Sequence, residues 1–517
     1  MVKPSARASG TARGRLAEVD KTGSSVRLRP HRLETGANSS GASGRELAWY
    51  ENDELLFALG AVAWLATLLI WWPSGLSFSD EIGYLGQTKL FLEGRIRWTA
   101  GAPGIWNPTP TGVVAQYPLL VPLLLAPLFA LSPSAIFLVG VLPALALAWM
   151  GGRILKTWGH SPCWGLIILA HPTVVILART AMSDLLLASL SVGAWWSLRN
   201  RRAVPTTLLL AATMAARPTG VPIAAAIIAG ELLDTFRRSR QLSEAVPQAK
   251  MGVLGFGLGL VLVLASNTLT TGTIWFGYNF RPGIPSFSPS YILKTAPAYL
   301  RALLVNPPLL LLGIIPFWRR RLVAPLFVVS GFGALMLFYV WVDWAPTWFE
   351  TVVLSERLIL PIVAFLLIGY GAELSRIAAR LRLAKVAKVI LVIAPAAVAF
   401  KIGSRHHVWQ RPMKSAREGA TSLARQLGSN ELGLTYASSK AGLLFPGKTI
   451  WISKTSPQPP VFLCATRGNS YRSLAAGILD EDRCDPPGYH EVARLEGFVL
   501  MLRDGVKVPD SWSAAPR

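Results

Sequence analysis

The stretch Phe78-Ser79-Asp80-Glu81-Ile82-Gly83-Tyr84 decides how the rest of the chain is interpreted. It follows an apolar run, residues 53–72, that ends in Trp71-Trp72-Pro73. Two adjacent carboxylates therefore lie at the mouth of a predicted transmembrane helix, where charge is costly unless it serves a function. We predict that Asp80 and Glu81 belong to a functional site.

The composition indicates an integral membrane protein with many helical spans. The 517 residues are 52% hydrophobic and only 15% charged, whereas about a quarter of a soluble protein is charged. The formal net charge of +23 is explained by positively charged cytoplasmic loops and a basic tail. Nucleic-acid binding would need a soluble basic domain, and the sequence contains none.

Residues 1–48 are rich in Arg, Ser, Gly and Ala. No apolar segment follows them closely, so they do not form a cleaved signal peptide. We predict a disordered, basic cytoplasmic tail that fixes the orientation of the chain. With this tail inside, Asp80 and Glu81 lie outside the cytoplasm.

An external segment, residues 73–133, follows the first span. Its apolar end, Tyr117–Leu131, carries three prolines and is marginal in length for crossing a membrane. If it does not cross, the basic clusters of the later loops all fall on the cytoplasmic side, as the positive-inside rule requires. We therefore predict that residues 117–131 form an interfacial helix along the outer leaflet.

The fold class predicted is an all-α polytopic membrane protein with about 11 transmembrane helices, followed by a small α/β domain. The transmembrane region covers residues 49–402, and residues 403–517 form the C-terminal domain, placed outside the cytoplasm because the number of spans is odd. The protein is assigned to the inner (plasma) membrane. Besides the first, the predicted spans are 134–152, 162–178, 184–198, 203–216, 219–234, 250–271, 302–318, 322–342, 357–375 and 385–402.

The C-terminal region contains Cys464 and Cys484, whereas Cys163 lies within the transmembrane region. The first two can form a disulfide if their region faces an oxidising compartment. The sequence alone leaves this pairing open.

On this topology several charged residues converge at the outer membrane face. Arginine binds phosphate through a bidentate fork, and a carboxylate beside it can act as a general base toward a hydroxyl. The arrangement suits a substrate with a phosphate and a polar acceptor. The residues are Asp80, Glu81, Arg179, Asp184, Arg217, Asp343, Glu356 and Arg357.

Each of these residues also has a purely structural interpretation. Asp184, or the Asp80-Glu81 pair, could cap the start of a helix. Arg179 and Arg217 could extend toward the interface without binding a ligand, and Glu356-Arg357 could be an ion pair that closes a helix end. The sequence does not decide between the two interpretations.

Together these motifs resemble the GT-C superfamily of membrane glycosyltransferases, and most closely its branch of bacterial protein mannosyltransferases and aminoarabinose transferases. The similarity covers about residues 53–375. It is carried by SDEIGY after the first span, YPLL in the external segment, ARTAMSD, ARPTG, and SERLILP before a late span.

The resemblance implies transfer of a sugar from a polyprenyl-phosphate carrier to a glycan, lipid or protein acceptor at the outer face. In that family the acidic residue after the first span is catalytic or orients the acceptor, which here is Asp80. The roles assigned are catalysis for Asp80, Glu81 and Asp184; donor phosphate binding for Arg179, Arg217 and Arg357; and substrate contact for Tyr84, Tyr117, Asp343 and Glu356.

Two features depart from the family pattern or limit it. The usual His-Pro-Pro-Leu opening is replaced by Gln116-Tyr117-Pro118-Leu119, so a His or Lys ligand to the phosphate is missing. Adjacent Asp80 and Glu81 lack the Asp-x-Asp spacing typical of metal binding, so we predict no metal and no other cofactor.

A flippase or transporter of lipid-linked sugars is the alternative, and a non-catalytic membrane subunit is another. A transporter predicts inverted repeats and charges near the middle of the bilayer. The charges of this chain cluster at one face instead. The sequence names neither the sugar nor the acceptor.

Overall fold

The computed structural model describes residues 52–96, 106–109, 112–115, 118–271, 274, 287–339, 353, 355–434, 439–451, 459–465, 488–495 and 498–507. The predicted tail 1–48 lies outside these residues, as do Tyr117 and Asp343.

Helices account for most of the described chain, as the composition predicts. The first eight are α1 (Asp53–Ile70), α2 (Ser79–Leu92), α3 (Leu120–Leu131), α4 (Leu138–Thr157), α5 (Leu166–Leu169), α6 (Pro172–Ala178), α7 (Asp184–Arg199) and α8 (Ala203–Ala216). The next seven are α9 (Gly220–Ser239), α10 (Val246–Thr271), α11 (Ile292–Val305), α12 (Ile314–Arg319), α13 (Val323–Phe327), α14 (Gly333–Leu337) and α15 (Leu360–Arg380). The last two are α16 (Ala384–Gln426) and α17 (Ser439–Gly442).

Five helices of the described residues are long and apolar enough to cross a membrane: Asp53–Ile70, Pro133–Thr157, Ser243–Thr270, Leu360–Arg380 and Ala384–Val408. In the second and fourth, 61% and 67% of the apolar window is buried in the protein, against 22–28% in the other three. The former therefore form the centre of the helical region, and the latter expose apolar side chains as helices that face lipid do. A polytopic helical protein is confirmed, while the number of eleven spans stays a prediction.

The external segment forms two helices rather than a loop. Helix α3 has 12 residues, about 18 Å of length, which is short of the roughly 30 Å hydrocarbon core. Its Val121 and Leu125 are buried in a hydrophobic cluster together with Leu85 of α2. This packing buries one side of α3 within the protein, and its interfacial position stays a prediction.

A single helix, α16, runs without interruption across the boundary that the sequence suggests at residue 402. After it comes a five-stranded sheet in the order β4-β3-β5-β7-β6, with β3 parallel to β4 and β5, and β7 antiparallel to β5 and β6. We call these five strands the C-terminal sheet. The strands are β3 (Glu431–Leu434), β4 (Lys448–Trp451), β5 (Val461–Ala465), β6 (Tyr489–Leu495) and β7 (Phe498–Arg503), and a hairpin of β1 (Trp106–Thr109) and β2 (Gly112–Ala115) lies in the external segment.

Cys464 of β5 is disulfide-bonded, and Cys163 is a buried free thiol. The remaining cysteine of the sequence, Cys484, lies outside the described residues.

Candidate active site

Glu81, in the first turn of α2, is fully buried and accepts three backbone hydrogen bonds. Its Oε2 accepts from the amides of Ser77 at 2.6 Å and Phe78 at 2.7 Å. Its Oε1 accepts from the amide of Ala181 at 2.7 Å. The carboxylate thus satisfies the free amides at the helix start, as in a capping box, and ties α2 to the turn before α7.

Asp80, the neighbouring residue, points in a different direction. Its side chain is 20% exposed, and Arg357 Nη2 donates to its Oδ2 at 3.0 Å. The Arg357 guanidinium also lies over the Phe78 ring, 5.2 Å from the centroid, which is a cation–π distance. The start of α2 and the residues before α15 therefore meet through one accessible carboxylate and one arginine.

Tyr84 follows Asp80 by four residues and so lies on the same face of α2. Its buried hydroxyl donates to Ser183 Oγ at 2.8 Å. Burial raises the pKa of Tyr84, while the charge of Arg217 lowers it and the charges of Asp184 and Asp80 raise it. Ser183 precedes Asp184, so this hydrogen bond places Tyr84 beside the residue that pairs with Arg217.

Arg217 and Asp184 form a buried ion pair within this cluster, through Nη1 and Oδ1. Asp184 is the first residue of α7, and Arg217 ends α8, where the backbone turns toward α9. A Cβ on Gly220 would lie 1.9 Å from the carbonyl oxygen of Thr213. The glycine of the ARPTG motif thus permits the tight turn that places Arg217.

Sequence reasoning missed Tyr299, which it left within an external loop. The structure places Tyr299 in α11, 5% exposed, with no hydrogen-bond partner for its hydroxyl among the described residues. Burial and Tyr339 raise the pKa of Tyr299, and the charge of Arg217 lowers it. The sequence around Tyr299 also contains Lys294, Thr295 and Arg301, so no pattern singled out this tyrosine.

The described hydrogen bond of Arg179 lies outside the cluster around Tyr84. It is 1% exposed, and its Nη1 donates to the carbonyl oxygen of Trp71 at the end of α1. Its Nε and Nη2 have no hydrogen-bond partner among the described residues. The structure therefore does not join Arg179 to the cluster around Tyr84 by any described contact.

Glu356 is also buried, just before the span that begins at Leu360. Its Oε2 accepts from Asn306 Nδ2 at 2.9 Å and from the Thr173 hydroxyl. Burial raises the pKa of Glu356 to about 8, against the lowering effect of these two hydrogen bonds. This carboxyl links α6, the residue that follows α11, and the segment that carries Arg357.

The structure thus brings together Asp80, Tyr84, Asp184, Arg217 and Arg357, and it adds Tyr299 to them. Tyr117 and Asp343 lie outside the described residues. Within the described ranges, no group of three or more His, Cys, Asp or Glu residues could hold a metal ion.

No family model and no curated protein matches the chain. Among solved structures, it is similar to ArnT from Cupriavidus metallidurans bound to undecaprenyl phosphate. The TM-score is 0.56 at 13% identity, over 88% of this chain and 98% of that chain. The chain therefore shares the overall fold of that structure.

The apo state of the same ArnT is also similar, with a TM-score of 0.51 at 14% identity over 87% of this chain and 97% of that chain. Because 87–88% of the chain is covered, the likeness extends beyond residues 49–402 into the C-terminal part. At these identities the comparison establishes the fold, and the chemistry has to be argued from the residues of this chain.

Proposed function

We propose that this chain transfers a sugar from a polyprenyl-phosphate carrier to an acceptor at the outer face of the plasma membrane. The proposal rests on one observation above all. A partly exposed carboxylate, Asp80, pairs with Arg357 at 3.0 Å. One turn later, Tyr84 donates to Ser183, the residue before the Asp184 that pairs with Arg217. The shared fold with a solved structure that holds undecaprenyl phosphate supports the class of donor.

In the proposed reaction, Asp80 takes the proton from an acceptor hydroxyl or amine. The acceptor atom forms a bond to the anomeric carbon while the bond between that carbon and the phosphate oxygen breaks. The electron pair leaves with the polyprenyl phosphate. The configuration at the anomeric carbon inverts, because a single displacement occurs on the face opposite the phosphate.

Arg357 and Arg217 supply the positive charge for the departing phosphate. A donor phosphate can compete with Asp80 for Arg357, since a guanidinium binds phosphate and carboxylate in the same bidentate way. Binding of the donor would then free Asp80 for the acceptor. Tyr84 and Tyr299, whose hydroxyls lie near Arg217, are proposed to contact the phosphate or the sugar.

The remaining assignments follow from burial. Glu81 and Asp184 are proposed to hold the site in place, because their oxygens face backbone amides and Arg217 rather than solvent. Arg179 stays a proposed phosphate ligand only if the donor reaches its two unpartnered nitrogens. Tyr117 and Asp343 stay predicted substrate contacts.

The test is transfer by the purified protein in lipid nanodiscs, using a panel of radiolabelled polyprenyl-phosphate hexoses and pentoses with cell-envelope extract as acceptor. Asp80→Asn should lower transfer by on the order of 10²–10⁴-fold, the usual contribution of a general base. Glu54→Gln, which changes an exposed carboxylate at the opposite end of α1, is the control and should leave transfer unchanged.

Full activity of Asp80→Asn would disprove the assignment of the base. A protein that moves the labelled donor across a vesicle membrane without releasing polyprenyl phosphate would instead be a transporter. The assay separates the two outcomes, because only transfer produces free polyprenyl phosphate.

A further inference from the structure

Lys89 is a buried lysine on the same helix as Asp80 and Tyr84. It lies in the penultimate turn of α2 and is only 7% exposed. A buried ammonium group is costly unless its donors are satisfied. Its three protons therefore need partners, and those partners show which part of the molecule the helix is fixed to.

The partners lie in the connection between α17 and β4, within the chain that forms the C-terminal sheet. Lys89 Nζ donates to the carbonyl oxygens of Phe445 at 2.8 Å and Gly447 at 2.9 Å. The ammonium also lies 5.3 Å from the centroid of the Phe129 ring of α3 and 5.9 Å from that of Phe445. One side chain thus joins α2, α3 and the turn before β4.

The environment of Lys89 is mostly apolar. Burial lowers the pKa of Lys89 to about 7, although the charge of Glu93 raises it. Two backbone carbonyls and two aromatic faces carry the contact, so its geometry depends on the position of the turn at residues 445–447. A displacement of this turn would leave a buried donor without an acceptor.

A second contact fixes the residues that precede α2, at the opposite end of this helix from Lys89. Gln410 of α16 donates through Nε2 to the carbonyl oxygen of Gly75 at 2.7 Å, and its Oε1 accepts from the Ser74 amide at 3.1 Å. Residues 74–92 are therefore fixed at both ends by residues of the C-terminal part of the chain. The same hydrophobic cluster contains Leu85 of α2 and Leu432 of β3.

We propose that Lys89 is a positioning residue of the transferase site. By bonding the turn 445–447, it fixes α2 to the C-terminal sheet and so sets Asp80 and Tyr84 against Arg357 and Arg217. The C-terminal sheet thereby controls the geometry at the catalytic carboxylate. The effect on catalysis rests on the proposed function, whereas the link between α2 and the C-terminal sheet rests on the contacts alone.

The variant that tests this is Lys89→Met, which keeps a long side chain of similar volume and removes the donors. Lys89→Arg keeps the charge and the donors. Lys448→Met is the matched control, because Lys448 lies in β4 of the same sheet, is half exposed, and pairs with Glu431 at 3.4 Å. All three are compared with the unmodified full chain in lipid nanodiscs.

The first readout is amide hydrogen exchange in residues 79–92 and 441–451, which requires no substrate. Lys89→Met should speed exchange in both segments by about tenfold or more, since local opening becomes easier when a buried link is lost. Lys448→Met should leave residues 79–92 unchanged. Lys89→Arg should restore most of the protection.

The second readout is transfer kinetics with the radiolabelled donor panel. Lys89→Met should lower kcat on the order of 10- to 100-fold, as a misplacement of about 1 Å does, with little change of KM for the donor. Recovery of kcat in Lys89→Arg separates positioning from general loss of structure.

Unchanged exchange of residues 79–92 in Lys89→Met overturns the inference, whatever the kinetics. Faster exchange with an unchanged kcat overturns the catalytic consequence. If the unmodified protein transfers no sugar, the proposed function fails, and the exchange readout still decides whether Lys89 links α2 to the C-terminal sheet.

Discussion

Exposure separates the four carboxylates that gather near the outer ends of the helices. The Asp80 side chain is 20% exposed, whereas those of Asp184 and Glu356 are at 0% and Glu81 is equally buried. A proton acceptor has to touch the group that it deprotonates. Asp80 is therefore the most accessible of the four. Glu81 accepts from backbone amides, Asp184 pairs with Arg217, and Glu356 accepts from the side chains of Asn306 and Thr173.

Glu356→Gln tests the protonation of the buried carboxyl that precedes α15. The folded-state pKa of about 8 lies above the unfolded value of about 4.3. Glu356 therefore contributes its full stability below the unfolded pKa and loses it as pH rises toward 8. The amide does not titrate, so the stability of the variant should fall less between pH 5 and pH 8.

The measurement is the unfolding midpoint in detergent at pH 5, 6.5 and 8, for the unmodified protein and Glu356→Gln. The unmodified protein should lose up to about 1.4 kcal/mol per pH unit more than the variant in this window. Glu418→Gln, at an exposed position of α16, serves as the control for a carboxylate at the surface. Parallel pH curves for Glu356→Gln and the unmodified protein would contradict a raised pKa.

Asp184→Asn tests the buried ion pair. The variant removes the charge of Asp184 from its buried pair with Arg217, which is 7% exposed. Loss of one partner of a buried pair costs roughly 3–5 kcal/mol. Glu244→Gln breaks the exposed pair with Arg201 at 3.2 Å, where such pairs contribute at most about 1 kcal/mol. Thermal unfolding of both variants in nanodiscs measures the difference, and equal losses would show that the Asp184 pair is not buried.

At the scale of the element, the turn between α8 and α9 sets the position of Arg217. This tight turn is possible because residue 220 is a glycine. Gly220→Ala would set a Cβ 1.9 Å from the Thr213 carbonyl oxygen, so the turn has to move. We expect a destabilisation on the order of 1–3 kcal/mol, as for other overpacked positions, together with reduced transfer activity.

Gly257→Ala in α10 is the matched control, because a Cβ there meets no atom within 4 Å. This substitution should be neutral or slightly stabilising, since alanine is the better helix former. Thermal unfolding and donor transfer are measured for both variants. Retention of full activity by Gly220→Ala would show that the turn does not set the position of Arg217.

Elements with a strong apolar pattern could be predicted from the sequence, and those that depend on distant partners could not. The interfacial segment 117–131 was predicted, and α3 forms there. The helical course of α2 was not, because its buried residues belong to a cluster formed with α3 and with residues of the C-terminal part, more than 300 positions later in the chain. Lys89 was missed for the same reason, since its acceptors, the Phe445 and Gly447 carbonyls, are 356 and 358 positions away.

In the candidate active site, too, the residue types could be predicted from the sequence, and their contacts with distant residues could not. Residue types and their placement at one membrane face predicted that Asp80, Asp184, Arg217 and Arg357 converge. Their pairing could not be predicted, because Asp80 meets Arg357 across 277 positions while Asp184 meets Arg217 across 33. The sequence gives the inventory of charges, and only tertiary packing decides which charges neutralise one another.

At the scale of the whole molecule, the helical region and the C-terminal sheet are connected by one continuous helix. Helix α16 contains a window apolar enough to span the membrane up to Val408 and then continues to Gln426. A boundary at residue 402, where hydropathy falls, marks where the predicted span ends and not where the helix ends. Hydropathy indicates whether a helix is surrounded by lipid or by water, and the backbone hydrogen bonds of a helix form in either environment.

The disulfide of Cys464 provides a test of which compartment the C-terminal sheet faces. Disulfides persist outside the cytoplasm, and the sequence holds 3 cysteines, of which Cys163 is a free thiol. Protein denatured without reductant should therefore react with one equivalent of a maleimide, and reduced protein with three. Mass spectrometry of the labelled chain counts the adducts.

A non-reducing gel of the unmodified protein distinguishes a bond within the chain, which gives a monomer, from a bond between copies, which gives a dimer that reductant removes. Cys464→Ser removes the bond and should show two free thiols without reductant. Three reactive thiols in the unreduced, unmodified protein would contradict both the disulfide and the extracytoplasmic position. Because Lys89 contacts the turn before β4 and Gln410 contacts Gly75, Asp80 is expected on the same side of the membrane as the C-terminal sheet.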